Sequence, residues 1–226
     1  MSDQEALTPR VFLVRHGETE WAKSGRFTGT TEIDLTPTGV RQVSSMAART
    51  VGAGKLLEPS RLTHVFVSPR KRATRTFELL ISDTIKDQDV TFTDDIAEWN
   101  YGDYEGLKSN EIRQLRKERG LDTEREWYIW ADGCEGGESM QQVTQRLDRL
   151  ISRIRDIQKP SMKGQKPADV LVIAHGLILR CFVKRWLGLE IDSNLQMILS
   201  PGGIAVLSYK NNDINKPAFH IGIALP

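Results

Sequence analysis

Short runs of apolar residues predict the strands of this chain. Four consecutive apolar residues over Val11–Val14 predict a strand buried on both faces, which is typical of a parallel sheet. Similar runs over Val65–Ser68 and Asp169–Ala174 predict two more strands, and Val90–Thr93 and Gly203–Tyr209 predict another two. Because helical patterns separate most of these strands, the sequence predicts an α/β fold.

Three of the predicted helices lie in the first half of the chain. Thr36 supplies a capping hydroxyl and Pro37 suits the first helical position, so a helix is predicted from there to about Val51. A second helix is predicted from Pro69 to about Ile85, and a charged third helix over Asn110–Arg119. The glycine-containing segment from Trp21 to Leu35 lacks sustained periodicity and is predicted to be a loop over the site.

Two further helices are predicted in the second half. From Glu138 a long amphipathic helix has arginines and aspartates opposite one apolar stripe, which indicates a scaffold role. That stripe consists of Met140, Val143, Leu147, Leu150, Ile151, Ile154 and Ile157. A last helix follows His175-Gly176, and the free amides of its first turn are predicted to bind phosphate. Trp127 and Trp130 are three residues apart and are expected to pack rather than to bind a ligand.

Charged residues follow three of the predicted strands at the point where each ends. Arg15 and His16 follow the first strand, and His175 follows the run at 169–174. One His-Gly pair is usually a surface feature, but two pairs in the same strand-end setting are hard to assign to packing. Arg72 follows the strand at 65–68; its neighbours Arg70 and Arg75 fit a solvated basic helix face. Since the carboxyl ends of parallel strands border the ligand crevice of α/β folds, these residues indicate a site.

A carboxylate-rich segment, EWNYGDYEG, offers a proton donor. It holds Glu98, Asp103 and Glu105 among three aromatic residues and two glycines, a composition suited to an irregular loop. Apolar surroundings suit a carboxylic acid that must carry a proton near neutral pH. Glu98 is the expected proton donor by its position after a strand, whereas the other two carboxylates are expected to be structural.

Composition and charge exclude several classes of function. The 226 residues are most simply one domain over 1–226, and a net charge of +1 gives no indication of a nucleic-acid partner. No apolar run reaches the length of a membrane span, and no targeting peptide is recognised at the N-terminus. A cytoplasmic location, with nuclear access open, is therefore expected. His64 and His220 lie in apparent strands away from carboxylate clusters, so no metal site is expected.

Four motifs in this order, LVRHGET, SPRKRAT, EWNYGDYEG and AHG, resemble the histidine phosphatase superfamily, also called phosphoglycerate mutase-like. The resemblance covers nearly the whole chain and implies a three-layer α/β/α sandwich with a mostly parallel central sheet. The segments EWNYGDYEG, LRKERGLD and WYIWADGCEGGES are similar to those of the fungal sedoheptulose bisphosphatases, a sugar-phosphate phosphatase group.

The resemblance implies roles for individual residues. It implies a substrate-binding set formed by Phe27, Thr28, Tyr101, Arg180 and Gly203. An equally good interpretation of Phe27 is that it packs the loop against the core. For Arg180 the equally good alternative is a salt bridge on the helix surface. The chain departs from the family in two places. Ala22 stands where many members carry an asparagine that binds phosphate, and the segment before Gly202 is shorter than in the fungal relative.

The residue types together predict hydrolysis through a phosphohistidine. His16 is the expected nucleophile, since a neutral imidazole can attack phosphorus. Arg15, Arg72 and a cationic or donating His175 are expected to stabilise the phosphoryl group, with Glu98 as the acid and then the base. No metal or other cofactor is required. The expected substrate is a small phosphorylated sugar, and a homo-oligomer remains open.

Three alternatives stay open from the sequence. A phosphoglycerate mutase is one, although mutases of the superfamily commonly carry an arginine directly after the acid, where this chain has Trp99. A broad-specificity or phosphoprotein phosphatase is the second. An inactive phosphatase fold that only binds ligands is the least favoured, because all five expected catalytic residues are present.

Overall fold

The computed structural model describes residues 8–85 and 89–221. Within these residues six strands form one sheet, and their apolar runs explain why they are buried. The strands are β1 (Val11–Arg15), β2 (Leu62–Val67), β3 (Val90–Phe92), β4 (Asp169–Ala174), β5 (Ile204–Tyr209) and β6 (Pro217–Phe219). Every residue of β4 is buried, which fits its central position in the sheet.

The strand order across the sheet is β3-β2-β4-β1-β5-β6. The first four strands are parallel to one another, whereas β5 runs antiparallel to β1 and β6 antiparallel to β5. The mixed, mostly parallel sheet places β1 beside β4, with Arg15 opposite Ala174. The carboxyl ends of β2, β4 and β1 therefore meet at one edge of the sheet.

Helices cover both faces of the sheet. They are α1 (Glu20–Ser24), α2 (Pro37–Thr50), α3 (Lys71–Leu80), α4 (Ser109–Glu118), α5 (Ile129–Asp132), α6 (Met140–Gln158) and α7 (Gly176–Trp186). The side chains of alternate residues of β1 pack on opposite faces of the sheet. Val11 and Leu13 pack in a core cluster with residues of α6 and α7, while Phe12 and Val14 pack with residues of α2 and α3. The three-layer α/β/α arrangement is thus confirmed.

Most of the predicted elements are confirmed with small shifts. The Thr36 hydroxyl accepts a hydrogen bond from the Gly39 amide and caps α2. The middle of the apolar stripe of α6, from Val143 to Ile154, is buried, and its end residues Met140 and Ile157 are partly buried against the same core. No helix in the described part of the chain is long and apolar enough to cross a membrane.

Three predictions of local structure are wrong in detail. The segment from Trp21 to Leu35 is not all loop, because Glu20–Ser24 form α1, capped by Thr19 and ended by Gly25 with φ +76°. Helix α3 ends at Leu80 rather than Ile85, because the Ile81 backbone (φ −154°, ψ −4°) leaves the helical region and a 3₁₀ turn follows. His220 was predicted to lie in a strand, but it follows β6, which ends at Phe219.

Candidate active site

The two His-Gly pairs lie side by side at the ends of adjacent parallel strands. His16 follows β1 and His175 follows β4, and their ring centroids are 5.0 Å apart. His16 is held at this edge by a bond from its amide to the Ala174 carbonyl. The pairing register therefore converts two motifs that are far apart in sequence into one cluster.

His16 is buried and has one ring nitrogen available for chemistry. Its Nδ1 lies 2.7 Å from the Gly17 carbonyl oxygen, so Nδ1 carries the proton and donates it there. Nε2 then presents a lone pair that has no partner among residues 8–85 and 89–221. Burial above all, and then the charge of Arg72, lowers the pKa of His16 to about 3. The imidazole is therefore neutral near pH 7, as a nucleophile must be.

His175 and Arg72 form a buried pair behind His16. Arg72 Nε donates to His175 Nδ1 at 3.0 Å, and His175 Nε2 lies 2.6 Å from the Ser68 hydroxyl. Burial lowers the pKa of His175 well below its ordinary value, with the charge of Arg72 adding to the effect. The geometry therefore describes a neutral His175 with both ring nitrogens used. Of the two predicted forms, cationic or donating, this is the donating one, and its N–H points to Ser68.

The guanidinium of Arg72 is bound by the loop that precedes α2. Its terminal nitrogens donate to the carbonyl oxygens of Thr28, Gly29 and Thr31 at 2.9–3.1 Å. Burial lowers the pKa of Arg72, although an arginine keeps its charge in proteins. Arg72 thus joins His175 to the 28–31 loop rather than lying at the cavity surface.

Glu98 lies at the N-terminus of α7, where phosphate was expected. Its carboxylate accepts the amides of Leu177 at 3.1 Å and Ile178 at 2.9 Å. A third amide, that of Trp99, donates to the same carboxylate at 2.9 Å. The prediction that the first-turn amides of α7 are free for phosphate is therefore wrong, because the Glu98 carboxylate occupies them. Glu98 lies among polar amides as well as aromatic rings.

Arg15 directly precedes His16 and is one of the arginines that lie against the candidate site. One terminal nitrogen donates to the Leu199 carbonyl at 2.8 Å, while Nε is buried without a protein partner. A Cβ added to Gly176 would lie 3.0 Å from the Arg15 guanidinium, so a larger residue where α7 begins would require the Arg15 side chain to shift. Burial lowers the pKa of Arg15, which still remains charged. Its unused donors are available for a bound anion.

A cavity of about 220 Å³ opens over His16. Its lining includes seven of the ten predicted site residues: Arg15, His16, Phe27, Thr28, Glu98, Tyr101 and Arg180. Phe27 both lines the cavity and packs edge-on against Tyr101, with ring centroids 4.9 Å apart. The Tyr101 side chain is 4% exposed, and burial raises its pKa well above the ordinary value, so its hydroxyl keeps its proton.

Three predicted residues do not line this cavity. Arg72 and His175 lie behind it, as described above. The Gly203 carbonyl accepts the Arg15 amide at 3.1 Å, and this glycine lines a separate surface depression beside α2. Gly203 therefore supports the backbone of the site rather than touching the cavity.

Three residues that contribute to the site, Thr19, Arg26 and Ser68, were not predicted. The first two line the cavity, and Ser68 bonds to His175. Arg26 stands in the loop predicted to cover the site, which could have identified it, and Ser68 stands in the SPRKRAT motif. Thr19 is the last residue of the LVRHGET motif, which could likewise have identified it. Residues 8–85 and 89–221 contain no group of histidine, cysteine and carboxylate side chains that could hold a metal ion.

The model of the histidine phosphatase superfamily (branch 1) matches residues 11–219. The chain belongs to this superfamily. Sedoheptulose 1,7-bisphosphatase of Saccharomyces cerevisiae is 38% identical, over 96% of this chain and 93% of the yeast protein. That alignment spans 252 positions, more than the 226 residues here, so the yeast protein carries residues that this chain lacks.

Two comparisons with Mycobacterium tuberculosis proteins agree with this assignment. An acid phosphatase is 32% identical over 89% of this chain and 87% of its own. The solved structure of an open reading frame product superposes with a TM-score of 0.74 at 30% identity, covering 94% of this chain and 96% of the other. Both the sequence family and the fold of these histidine phosphatase relatives therefore extend over nearly all of the chain.

Proposed function

We propose that this histidine phosphatase hydrolyses a small phosphorylated sugar of the sedoheptulose-1,7-bisphosphate type through a phosphohistidine on His16, without a metal. One observation carries the proposal. His16 is neutral, its Nε2 has no protein partner, and it shares a cavity with the Arg15 guanidinium and the Glu98 carboxylate. A nucleophile, a fixed cation and a proton carrier are the groups that phosphoryl transfer through a covalent intermediate requires.

In the first step the His16 Nε2 lone pair attacks phosphorus and the bond from phosphorus to the sugar oxygen breaks. Glu98, entering the step protonated, transfers its proton to that leaving oxygen. The positive charge left on the imidazole is stabilised by the Nδ1–H bond to the Gly17 carbonyl. Arg15 stabilises the charge on the phosphoryl oxygens through paired N–H bonds.

In the second step water attacks the phosphohistidine. Glu98, now a carboxylate, accepts a proton from the water as the new P–O bond forms, and the P–N bond breaks to restore neutral His16. The amides of Leu177 and Ile178 bond to the Glu98 carboxyl oxygens and so hold the side chain in place for both steps. Glu98 is protonated again and phosphate leaves, which completes the cycle without another reactant.

The charge of the cavity favours a substrate with a second anionic group. Arg15, Arg26 and Arg180 line it, against one carboxylate, Glu98. In the described part of the chain Arg180 has no carboxylate partner; its Nε donates to the Gly176 carbonyl and its guanidinium lies 5.5 Å from the Trp130 ring centroid. If Arg15 binds the transferred phosphate, Arg180 is free to bind a second one. The yeast relative is named for a bisphosphate substrate.

The residue after the proton donor favours hydrolysis over isomerisation. Trp99 is fully buried and its indole nitrogen donates to the Glu138 carbonyl at 2.9 Å. This position therefore supplies no cation to the cavity, where mutases of the superfamily commonly have an arginine. Without that additional positive charge to retain the product, transfer to water is the expected outcome.

The test is phosphate release from a panel of sugar monophosphates and bisphosphates. A parallel reaction contains 3-phosphoglycerate with its bisphosphate cofactor and is scored for isomerisation. We expect the highest kcat/KM for a sugar bisphosphate, unchanged by a chelator. Similar low rates for all esters would overturn the substrate assignment, and isomerisation exceeding phosphate release would overturn hydrolysis.

A further inference from the structure

The segment that carries Glu98 has no regular secondary structure of its own. Residues 97–100 lie between two 3₁₀ turns, Asp94–Ile96 and Gly102–Tyr104, so no helix or strand ladder fixes their backbone. The position of the proton donor must therefore be set by side chains from elsewhere. We propose that Arg146 and Glu138 are positioning residues that hold the Glu98 backbone for proton transfer.

Arg146 lies on the buried side of α6, within the apolar stripe and not opposite it. It is three residues after Val143 and four before Leu150, and only 6% of it is exposed. A charged side chain in this stripe is unusual, because taking a cation out of water is costly unless its donors are used. The contacts of Arg146 show where those donors go.

The Arg146 guanidinium bonds to the chain that leads up to and includes Glu98. Nη1 donates to the Ala97 carbonyl at 2.8 Å and to the Asp95 carbonyl at 3.2 Å, and Nη2 approaches the Glu98 carbonyl at 3.4 Å. The remaining donors form a two-bond contact with the Glu138 carboxylate, at 2.8 and 3.0 Å. All three nitrogens of the Arg146 guanidinium thus donate hydrogen bonds, either to the segment that carries the proton donor or to the Glu138 carboxylate.

Glu138 completes the contact from the other side. Its carboxylate accepts the Asn100 amide at 2.8 Å, and its own amide donates to the Asn100 carbonyl at 2.9 Å. Its carbonyl accepts the Trp99 indole N–H. Together with Arg146, these bonds fix the backbone immediately before and after Glu98.

The bonds connect α6 to α7 through the proton donor. The backbone of Glu98 is held from α6, while its carboxylate is held by the first amides of α7. If the Arg146 contacts are lost, the backbone at 97–100 can shift relative to α7, and the carboxyl group moves away from the leaving oxygen. A displacement near 1 Å at a reacting group reduces rates by about 10²-fold.

This inference depends on the proposed role of Glu98, so the experiment tests both separately. It compares Glu98→Gln, Arg146→Gln and a matched control, Arg116→Gln. Arg116 is equally buried and paired with carboxylates, but it bonds Glu135 and Asp122 and makes no bond to residues 97–100. For each protein kcat/KM is measured with an aryl ester, nitrophenyl phosphate, and with an alkyl phosphate. Nitrophenolate is a stable leaving group that needs no proton, whereas an alkoxide must be protonated as it leaves.

We expect Glu98→Gln to lose about 10²–10⁴-fold in kcat/KM for the alkyl ester and much less for the aryl ester. Arg146→Gln should show the same selective pattern with a loss of about 10–10²-fold, and Arg116→Gln should show no selectivity. In the double variant Glu98→Gln with Arg146→Gln, the two losses in kcat/KM for the alkyl ester should not add as free energies. Both substitutions impair the same step, the transfer of the Glu98 proton to the leaving oxygen.

The two failures are distinguishable. If Glu98→Gln lowers kcat/KM by the same factor for both esters, the proton-donor role in the proposed function is wrong. If Glu98→Gln is selective but Arg146→Gln loses equally with both esters, or matches Arg116→Gln, the positioning role is wrong. Should Arg146→Gln not fold, Arg146→Lys and Glu138→Gln are measured in the same way, and the absence of ester selectivity in both overturns the inference.

Discussion

The buried, neutral His16 has a consequence for stability that can be measured without a substrate. In the unfolded chain a histidine takes up a proton near pH 6.5, whereas in the folded protein burial and Arg72 lower the pKa of His16 to about 3. Between these values the unfolded state binds one more proton, so stability is full above pH 6.5 and is lost as the pH falls toward 3. The slope is about 1.4 kcal/mol per pH unit from His16 alone.

The variant His16→Asn isolates this contribution. The asparagine amide can still donate to the Gly17 carbonyl, but it does not titrate. We expect the wild-type protein to lose about 2 kcal/mol more than the variant between about pH 6.5 and pH 4.5, because the unfolded histidine is only half protonated at pH 6.5 and the full slope is reached below that pH. This is a large part of the net stability of a typical domain. The carboxylates and His175 contribute to the pH dependence of unfolding in both proteins, so their contributions cancel when the two free energies of unfolding are subtracted.

Urea unfolding followed by tryptophan fluorescence at a series of pH values gives the two free energies of unfolding. An NMR titration of the His16 ring in the folded protein supplies an independent value. If the difference between wild type and variant does not change with pH, or if the ring titrates near 6.5, the neutral buried imidazole is refuted. Equal slopes of free energy on urea at each pH check that the unfolded states are comparable.

Three further predictions concern the loop, the second histidine and the substrate. Arg180→Ala should raise KM for a sugar bisphosphate by about 10-fold or more in steady-state kinetics, since about 1.5–3 kcal/mol is typical of a bond to a charged group. KM for a monophosphate should change little, and equal changes in the two KM values would contradict a role of Arg180 in binding the second phosphate. Gly29→Ala should lower the free energy of unfolding by about 1–3 kcal/mol, measured in urea, because its Cβ would lie 2.5 Å from the Trp99 carbonyl. Ser68→Ala should cost about 1–3 kcal/mol in the same assay because it removes the partner of a buried His175 nitrogen; unchanged stability in either variant would count against the packing described.

The elements that local chemistry determines were the ones predicted correctly. The apolar runs at β1 and β4 identified the buried parallel strands, and the Thr36-Pro37 pair identified the start of α2. The strand ends then brought His16 and His175 together, because a parallel pairing requires it. The single domain over residues 1–226 and the cytoplasmic location stay predictions.

The features that were missed depend on partners distant in sequence. The amides that begin α7 are taken by Glu98, which is 79 residues before Leu177, so no local pattern reveals the contact. Arg146 looks like any surface arginine of an amphipathic helix until the 95–98 carbonyls are placed beside it. Helix α1 is five residues long, too short to show a period, and only its Thr19 cap and Gly25 end define it.

The central claim is that phosphate passes through His16, and trapping the phosphoenzyme tests it most directly. An aryl phosphate is mixed with the protein, the reaction is quenched in alkali, where a phosphohistidine survives, and the phosphorylated peptide is identified by mass spectrometry. The Glu98→Gln variant should increase the trapped fraction, because hydrolysis of the intermediate loses its base. The account predicts acid-labile phosphate on His16 that is absent in His16→Asn. Phosphate on another residue, or turnover with no phosphoenzyme in either protein, would contradict it.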